Sequence, residues 1–189
     1  MPPPPRDLAP GLRHIWVNAT GHEQYFVDVD DRIAWVRLLH RMLGAYAWTC
    51  LVFCQMSTHV HLIVDVPDHS LALGMKQLNL AYSRHFNARH GREGQFVRRR
   101  YGSRRINDGP DLMGAYAYVV ANPVAAGLCI QPEDWRWSSY ASSLGISNDF
   151  PFVNASLAIA EAGGAPAALR RMVNNRRGAG LAKAATPGV

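Results

Sequence analysis

The spacing of hydrophobic residues along the chain predicts an alternation of short strands and amphipathic helices. Strands are indicated where apolar and polar residues alternate, and helices where apolar residues recur every three or four positions. In chain order, the predicted elements are strands at 12–17, 46–56, 59–66 and 103–106, and helices at 30–43, 71–87 and 109–122. Asp30 and Gly44 are the expected N-cap and stop of the first helix, and Pro123 is expected to end the last one at Asn122.

The order β-α-β-β-α-β, followed by a further helix, is typical of a split βαβ unit. The expected fold class is therefore α+β, a ferredoxin-like antiparallel sheet with helices on one face. The chain of 189 residues is divided into a proline-rich leader over 1–10, one domain over 11–150 and a basic C-terminal extension over 151–189. For the extension, a basic helix that touches DNA and a solvated tail both fit the sequence.

Composition places the chain among globular proteins with a polyanionic partner. Apolar residues make up 48% and charged residues 18% of the chain, which excludes a disordered protein. The formal net charge of +6 indicates a polyanionic partner but does not say of which kind. Neither a membrane-spanning run nor a secretory signal is found, so we expect a cytoplasmic protein without a membrane partner. The cysteine count of three argues against a disulfide framework, and Cys50 and Cys54 are expected to be buried.

Positive charge is concentrated between residues 84 and 105. This segment holds eight arginines and one acid, Glu93, and aromatic side chains lie between them. Guanidinium groups bind phosphate oxygens in pairs, and aromatic rings stack on exposed bases. The segment predicts a nucleic-acid groove, although a solvated basic loop has the same composition. The arginines predicted to contact DNA are Arg84, Arg89, Arg98, Arg99, Arg100, Arg104 and Arg105.

Two pairs of residues are candidates for chemistry. His59 and His61 occupy alternate positions of a strand, so they share a face and can converge on one divalent cation. Tyr118 and Asn122 lie one helical turn apart and also share a face. Taken alone, the two histidines are better explained as a pair that binds no metal, and the tyrosine is better explained as a core residue. In combination with the arginines, an oxygen nucleophile beside a cation suits attack on a phosphodiester.

Four segments resemble sequence blocks of the single-tyrosine HUH transposases. Residues 56–62, MSTHVHL, are similar to the block M-P-N-H-V-H-L, and residues 118–128, YVVANPVAAGL, to Y-I-H-L-N-P-V-R-A-G-L. Residues 137–140, WSSY, match a W-S-S-Y block, and residues 94–103, GQFVRRRYGS, resemble a block of glycine, aromatic and arginine residues. Their order is that of the REP-associated tyrosine transposases, a branch of the insertion-sequence transposase-like superfamily. The resemblance covers residues 11–142.

The resemblance implies a HUH endonuclease fold that binds single-stranded DNA and hairpins. It implies Mg²⁺ or Mn²⁺ held by His59 and His61, with Asn122 as the third ligand. It further implies cleavage by Tyr118, which becomes joined to the 5′ phosphate and leaves a free 3′ hydroxyl, so that strand transfer needs no ATP. The expected partner is single-stranded DNA with REP-like palindromes, with no small-molecule substrate. A monomer is the expected state, and a dimer stays open.

Tyr116 is a rival nucleophile, since it lies close to Tyr118 in the sequence. Two residues apart on a helix, the two tyrosines point to roughly opposite sides, and the N-P-V register selects Tyr118. The sequence departs from the family blocks at Ala19-Thr20, Ser57-Thr58 and Ala125, none of which is a predicted catalytic group.

Two other functions stay open at this level. A transposase that has lost its chemistry would act as a hairpin-DNA binding protein, but it would not need the histidines, Tyr118 and Asn122 together. A ferredoxin-like RNA-binding domain would stack bases on aromatic residues of its sheet, where this sequence has histidines. The predicted function is a metal-dependent single-strand DNA endonuclease and strand transferase.

Overall fold

The elements of the structure follow the predicted order. The structure is a computed structural model, and it describes residues 9–97 and 101–185, apart from the side chains of His22 and of residues 177–185. The strands are β1 (Gly11–Asn18), β2 (Thr49–Gln55), β3 (His59–Val66) and β4 (Gly102–Arg105). The helices are α1 (Val29–Tyr46), α2 (Leu71–His90), α3 (Gly109–Ala125), α4 (Tyr140–Ser143), α5 (Ser156–Glu161) and α6 (Pro166–Ala185).

The four strands form one antiparallel sheet in the order β2-β3-β1-β4. This is the strand order of the ferredoxin-like split βαβ unit, so the predicted α+β class is confirmed. The central pair is β1 with β3, in a register that sets Trp16 opposite His61 and Asn18 opposite His59. Residues paired across neighbouring strands share a face, so this register brings side chains about 45 positions apart to one surface.

Helices cover both faces of the sheet, whereas one face was predicted. α1 and α2 pack on one face, where Leu39 and Leu78 share a core with Leu62. α3 packs on the other face, where Val119 shares a second core with Ile63. The prediction therefore holds only for α1 and α2. The physical reason is that β2 and β3 are apolar at consecutive positions, which is typical of strands buried on both faces. Cys50 and Cys54 are buried in these two cores, as predicted.

The predicted N-cap of α1 was wrong by two residues, and its predicted stop was wrong by three. Asp28 is the N-cap in place of Asp30, and its carboxylate accepts a hydrogen bond from the backbone N–H of Asp31 at 3.0 Å. The helix also passes Gly44, which has no neighbouring atom that a side chain would meet. It ends where Ala47 takes the left-handed conformation, with φ at 52°.

Pro123 does not end α3, so Asn122 is not the last helical residue as predicted. The helix continues to Ala125 with Pro123 inside it. A proline this close to a helix end removes one backbone hydrogen bond, and here its ring is buried. Burial of this ring favours the continuation of the helix through Pro123.

The segment after residue 150 packs against α3. Ala158 of α5 and Leu169 and Val173 of α6 are buried in the core that contains Val119. Of the two interpretations of the extension, a helix is observed, while its contact with DNA and the division of the chain at residue 150 stay predictions. Within the described residues, no helix is both long enough and apolar enough to cross a membrane.

Candidate active site

The two predicted metal-binding histidines lie on the sheet face that α3 covers. Their ring centroids are 4.9 Å apart. His61 is only 5% exposed, and His59 is half-buried near the beginning of the strand. Val60 and Leu62 point into the core on the opposite face, as the alternation of the strand predicts.

The Nδ1 atom of each histidine is engaged by a neighbour. Thr58 Oγ1 lies 3.0 Å from Nδ1 of His59, and His14 Nε2 lies 3.1 Å from Nδ1 of His61. Histidines that bind metals commonly hydrogen-bond a neighbour through the ring nitrogen that does not face the ion. Nε2 is therefore the nitrogen of both rings that is left to bind a cation.

Burial keeps the three histidines of this surface neutral. It lowers the pKa of His61 to about 3, with further contributions from His14 and His59. Burial and the charge of Arg104 lower the pKa of His14 to about 4, and burial also lowers the pKa of His59. Near pH 7 all three imidazoles are therefore unprotonated, which is the form that binds metal ions.

α3 places Tyr118 over the histidines. The centroid of its ring lies 5.4 Å from that of His61 and 5.7 Å from that of His14, and the residue is 55% exposed. Tyr116 is fully buried in the core on the other side of the helix, where its ring centroid lies 6.2 Å from that of Tyr140. Of the two tyrosines, only Tyr118 is therefore accessible to a substrate.

An open cavity of about 560 Å³ separates α3 from this part of the sheet. Its lining consists of His14, Trp16, Asn18, His59, His61, Arg104, Gly114, Ala115 and Tyr118. We call it the catalytic cavity. The Trp16 indole lies directly on Gly102 of β4, where a Cβ atom would come within 1.9 Å of the ring. The absence of a side chain at Gly102 thus allows Trp16 to lie along the sheet beside the histidines.

Asn122 lies one turn beyond Tyr118 and is absent from the lining of the catalytic cavity. Its side-chain Nδ2 donates a hydrogen bond to the Tyr118 carbonyl oxygen at 2.7 Å. Among the described residues, no third His, Cys, Asp or Glu forms a compact ligand group with His59 and His61. The role of Asn122 as third ligand stays a prediction.

Comparison with known proteins identifies the family. The family model described as "Transposase IS200 like" matches residues 13–119, which is 107 of the 189 residues. The chain belongs to the IS200-like transposase family. The matched segment of this transposase contains both predicted histidines and Tyr118. No match was found among the curated proteins.

The transposase also shares its fold with a solved structure. A REP-associated tyrosine transposase bound to a REP hairpin superimposes with a TM-score of 0.65 at 15% sequence identity. The match covers 82% of this chain and 98% of that chain. At this identity the comparison establishes a shared fold, which agrees with the resemblance found in the sequence.

The predicted DNA-contacting arginines of the transposase fall into different environments. Arg84 is exposed on α2, and Arg105 is exposed at the end of β4. Arg104 lines the catalytic cavity and binds the Asp111 carboxylate of α3 at 2.6 Å. Arg98, Arg99 and Arg100 lie outside the described residues.

Arg89 forms ion pairs within the protein, where α1 begins and α2 ends. It pairs with Asp28 at 2.9 Å and with Asp31, and His90 lies 3.0 Å from the same Asp31 carboxylate. Asp28, Asp31 and His90 are close enough together to hold a metal ion. The Arg89 guanidinium already supplies positive charge to these carboxylates, so the group is explained as an ion-pair network that joins two helices.

Besides Gly114 and Ala115 of α3, three residues of β1 line the catalytic cavity without having been predicted as site residues. His14, Trp16 and Asn18 of β1 line it beside the predicted histidines. Their alternation with Ile15 and Val17 shows that they share a face. The alternation alone does not show that β1 pairs with β3. That pairing places this face of β1 next to His59 and His61.

Proposed function

We propose that this transposase cleaves and rejoins single-stranded DNA that contains hairpins, with Tyr118 as the nucleophile. The observation that carries the proposal is the position of Tyr118, which is exposed on α3 and faces His61 across the catalytic cavity. Arg104 borders the same cavity and adds positive charge beside the site where a phosphate would lie. A monomer is the proposed acting unit.

The proposed reaction exchanges one phosphodiester for another. The Tyr118 hydroxyl oxygen bonds to the scissile phosphorus and loses its proton. The bond between phosphorus and the 3′ oxygen breaks, and that oxygen gains a proton to become a free 3′ hydroxyl. The 5′ phosphate stays joined to Tyr118, so a 3′ hydroxyl can later reverse the step and join strands without ATP.

The residues present fit a divalent cation, Mg²⁺ or Mn²⁺, in the catalytic cavity. His59 and His61 would hold it through Nε2, because both imidazoles are neutral and both Nδ1 atoms have partners. The amide oxygen of Asn122 is the proposed third ligand. When bound, such a cation adds positive charge near the phosphate oxygens and orients the scissile group.

The hairpin in the proposed substrate is supported by the structural comparison. The similar REP-associated transposase is bound to a REP hairpin. The net charge of +6 also agrees with a polyanionic ligand. Within the catalytic cavity, the partly exposed Trp16 indole offers a surface on which an unpaired base can stack.

The proposal is tested by a denaturing-gel assay with labelled oligonucleotides from the flanks of the gene. We expect a protein–DNA adduct with Mn²⁺ and none with EDTA. Tyr118→Phe should abolish the adduct but retain DNA binding. Tyr116→Phe is the matched control, because it removes one buried hydroxyl from the same helix and should leave the adduct unchanged.

Two results would contradict the proposal. An adduct formed by Tyr118→Phe would show that another residue is the nucleophile. A gel shift without any adduct, across several flanking sequences and with both metals, would favour a hairpin-binding protein that has lost its chemistry.

A further inference from the structure

The surface of α1 and α2 carries positive charge that few carboxylates offset. From residue 32 to residue 92 the sequence contains seven lysines and arginines but only two acids, Asp65 and Asp68. Neither acid lies on a helix, since Asp65 is in β3 and Asp68 is in the turn before α2. From Arg32 onwards α1 has no acid, and α2 has none over its whole length.

A second cavity, of about 620 Å³, lies between these two helices. It is lined by Ala34, Arg37, Leu38, His40, Arg41, Ala81 and His85, and we call it the α1–α2 groove. Arg37 and Arg41 are exposed one turn apart on α1. No carboxylate among the described residues forms an ion pair with either of them. Like charges at this spacing destabilise a helix slightly, so an anionic ligand would relieve their repulsion.

The opposite wall of the groove also has an unused polar atom. His85 of α2 has its Nε2 atom buried without a hydrogen-bond partner. Its neighbour Arg84 is exposed and likewise has no carboxylate partner among the residues that the structure describes. His85 thus lines the groove with a ring nitrogen that has no hydrogen-bond partner, and the exposed Arg84 lies beside it on α2.

The chemistry of the α1–α2 groove differs from that of the catalytic cavity. No Trp, Tyr or Phe lines the groove, and the His40 ring is stacked on Phe152 with the centroids 4.7 Å apart. Sites for unpaired strands use exposed aromatic rings for base stacking, as Trp16 offers in the catalytic cavity. The polar side chains of the groove all carry nitrogen groups, two of them guanidinium groups, and they are set among Ala34, Leu38 and Ala81. Such a surface suits the backbone phosphates of a duplex.

We propose that the α1–α2 groove binds phosphates of the duplex stem of hairpin DNA, with Arg37 and Arg41 as the principal contacts and Arg84 beside them. The inference rests on the proposed function in that it takes hairpin DNA as the ligand. The groove and the catalytic cavity lie on opposite sides of the sheet, because α1 and α2 cover one face and α3 covers the other. The stem is thus held on one side while its unpaired flank reaches Tyr118 on the other.

The groove is tested with the double variant Arg37→Ala/Arg41→Ala. Alanine is the best helix former, so the fold of α1 should be retained. Lys76→Ala/Arg136→Ala is the matched control: it lowers the net charge equally, and both residues are exposed, line neither cavity and lie outside the predicted DNA-contacting segments. Affinity for a labelled hairpin is measured by fluorescence anisotropy over a range of salt, with EDTA and in a Tyr118→Phe background.

We expect the groove variant to bind the hairpin at least 10-fold more weakly. The slope of log affinity against log salt should fall by about 2, one for each phosphate that an arginine no longer neutralises. The control should change affinity less than twofold. Unchanged hairpin binding by the groove variant would overturn the proposal, and so would equal decreases in both double variants. An equally large decrease for a single strand without a hairpin would overturn the assignment to the stem.

Failure of this proposal is distinguishable from failure of the proposed function. With Tyr118 present and at saturating DNA, Arg37→Ala/Arg41→Ala should form as much Mn²⁺-dependent adduct on a hairpin-free single strand as the unsubstituted protein. Absence of an adduct from the unsubstituted protein would count against the nucleophile. Such a result would not affect the comparison of hairpin affinities, because binding is measured with EDTA in a Tyr118→Phe background, where no cleavage takes place.

Discussion

His14 and His61 lie diagonally across β1 and β3, with Nε2 of His14 3.1 Å from Nδ1 of His61. Both side chains are buried, and the contact fixes the plane of the His61 ring. Nε2 of His61 is thereby held on the side of the catalytic cavity. His14 is in this sense a positioning residue for the proposed metal ligand.

Replacing His14 by Ala is expected to lower the affinity of the DNA-free protein for Mn²⁺ by about 10–100-fold, the usual effect of removing a partner of a metal-binding histidine. His14→Gln, whose amide can still reach His61, should have a smaller effect. Isothermal titration calorimetry measures both, and thermal unfolding checks that the variants are folded. Equal Mn²⁺ affinity in His14→Ala and the unsubstituted protein would show that the contact has no such role.

Asn122→Ala tests the predicted third ligand. If the amide oxygen binds the cation, the variant should bind Mn²⁺ about 10-fold more weakly. Asn122 also donates to the Tyr118 carbonyl oxygen, so the same variant removes one hydrogen bond of α3 and should cost about 1 kcal/mol of stability. Unchanged Mn²⁺ affinity together with lowered stability would limit Asn122 to a role in the helix.

The stability of the metal-free protein should fall between about pH 6.5 and pH 4. Above this range His14 and His61 are neutral in both the folded and the unfolded state. Within this range the two histidines of the unfolded chain take up protons. In the folded protein they stay neutral until the pH approaches their lowered pKa values, about 4 for His14 and about 3 for His61. Protonation of the unfolded state therefore reduces the free energy of unfolding, by on the order of 3 kcal/mol for each of the two histidines.

Urea unfolding at about pH 7.5 and about pH 4.5 measures this effect. The double variant His14→Gln/His61→Gln is the control and should show a much smaller decrease. Asp28 and Asp111 have pKa values lowered by hydrogen bonds to Arg89 and Arg104, so their contributions are lost only below about pH 3.8, outside this range. A decrease of the same size in the control would assign the pH dependence to other groups.

Gly102→Ala should displace Trp16, because the new Cβ atom would lie 1.9 Å from the indole. We expect a decrease of about 1–3 kcal/mol in stability. Affinity for a hairpin-free single strand should approach that of Trp16→Ala, in which about 1–3 kcal/mol of stacking is removed.

Gly44→Ala is the matched control for Gly102→Ala. Gly44 lies inside α1 with no atom near the added methyl group, so the substitution should raise stability by up to about 1 kcal/mol and leave DNA affinity unchanged. Fluorescence anisotropy and thermal unfolding measure both variants. If Gly102→Ala bound the hairpin-free single strand as tightly as the unsubstituted protein, the position of Trp16 would not matter for single-strand binding.

The sequence predicts features that depend on local periodicity. The alternation of a strand places His59 and His61 on one face, and the turn of a helix separates Tyr118 from Tyr116; both are observed. Features set by long-range pairing could not be predicted in this way. His14 joins the site only through the register of β1 against β3. The packing of α3 on the second face depends on a core shared by Val119 and Ile63, which are far apart in the sequence.

α3 and the sheet belong to different layers, which has a consequence for how this active site is aligned. Tyr118 belongs to the helix and the histidines to the sheet, so the gap between them is set by the thickness of the hydrophobic layer formed by Val119, Leu51 and Ile63. Side-chain volume in that layer therefore determines the distance between Tyr118 and the two histidines. A change of one or two methyl groups there would alter the rate of the proposed reaction without changing any residue proposed to contact DNA.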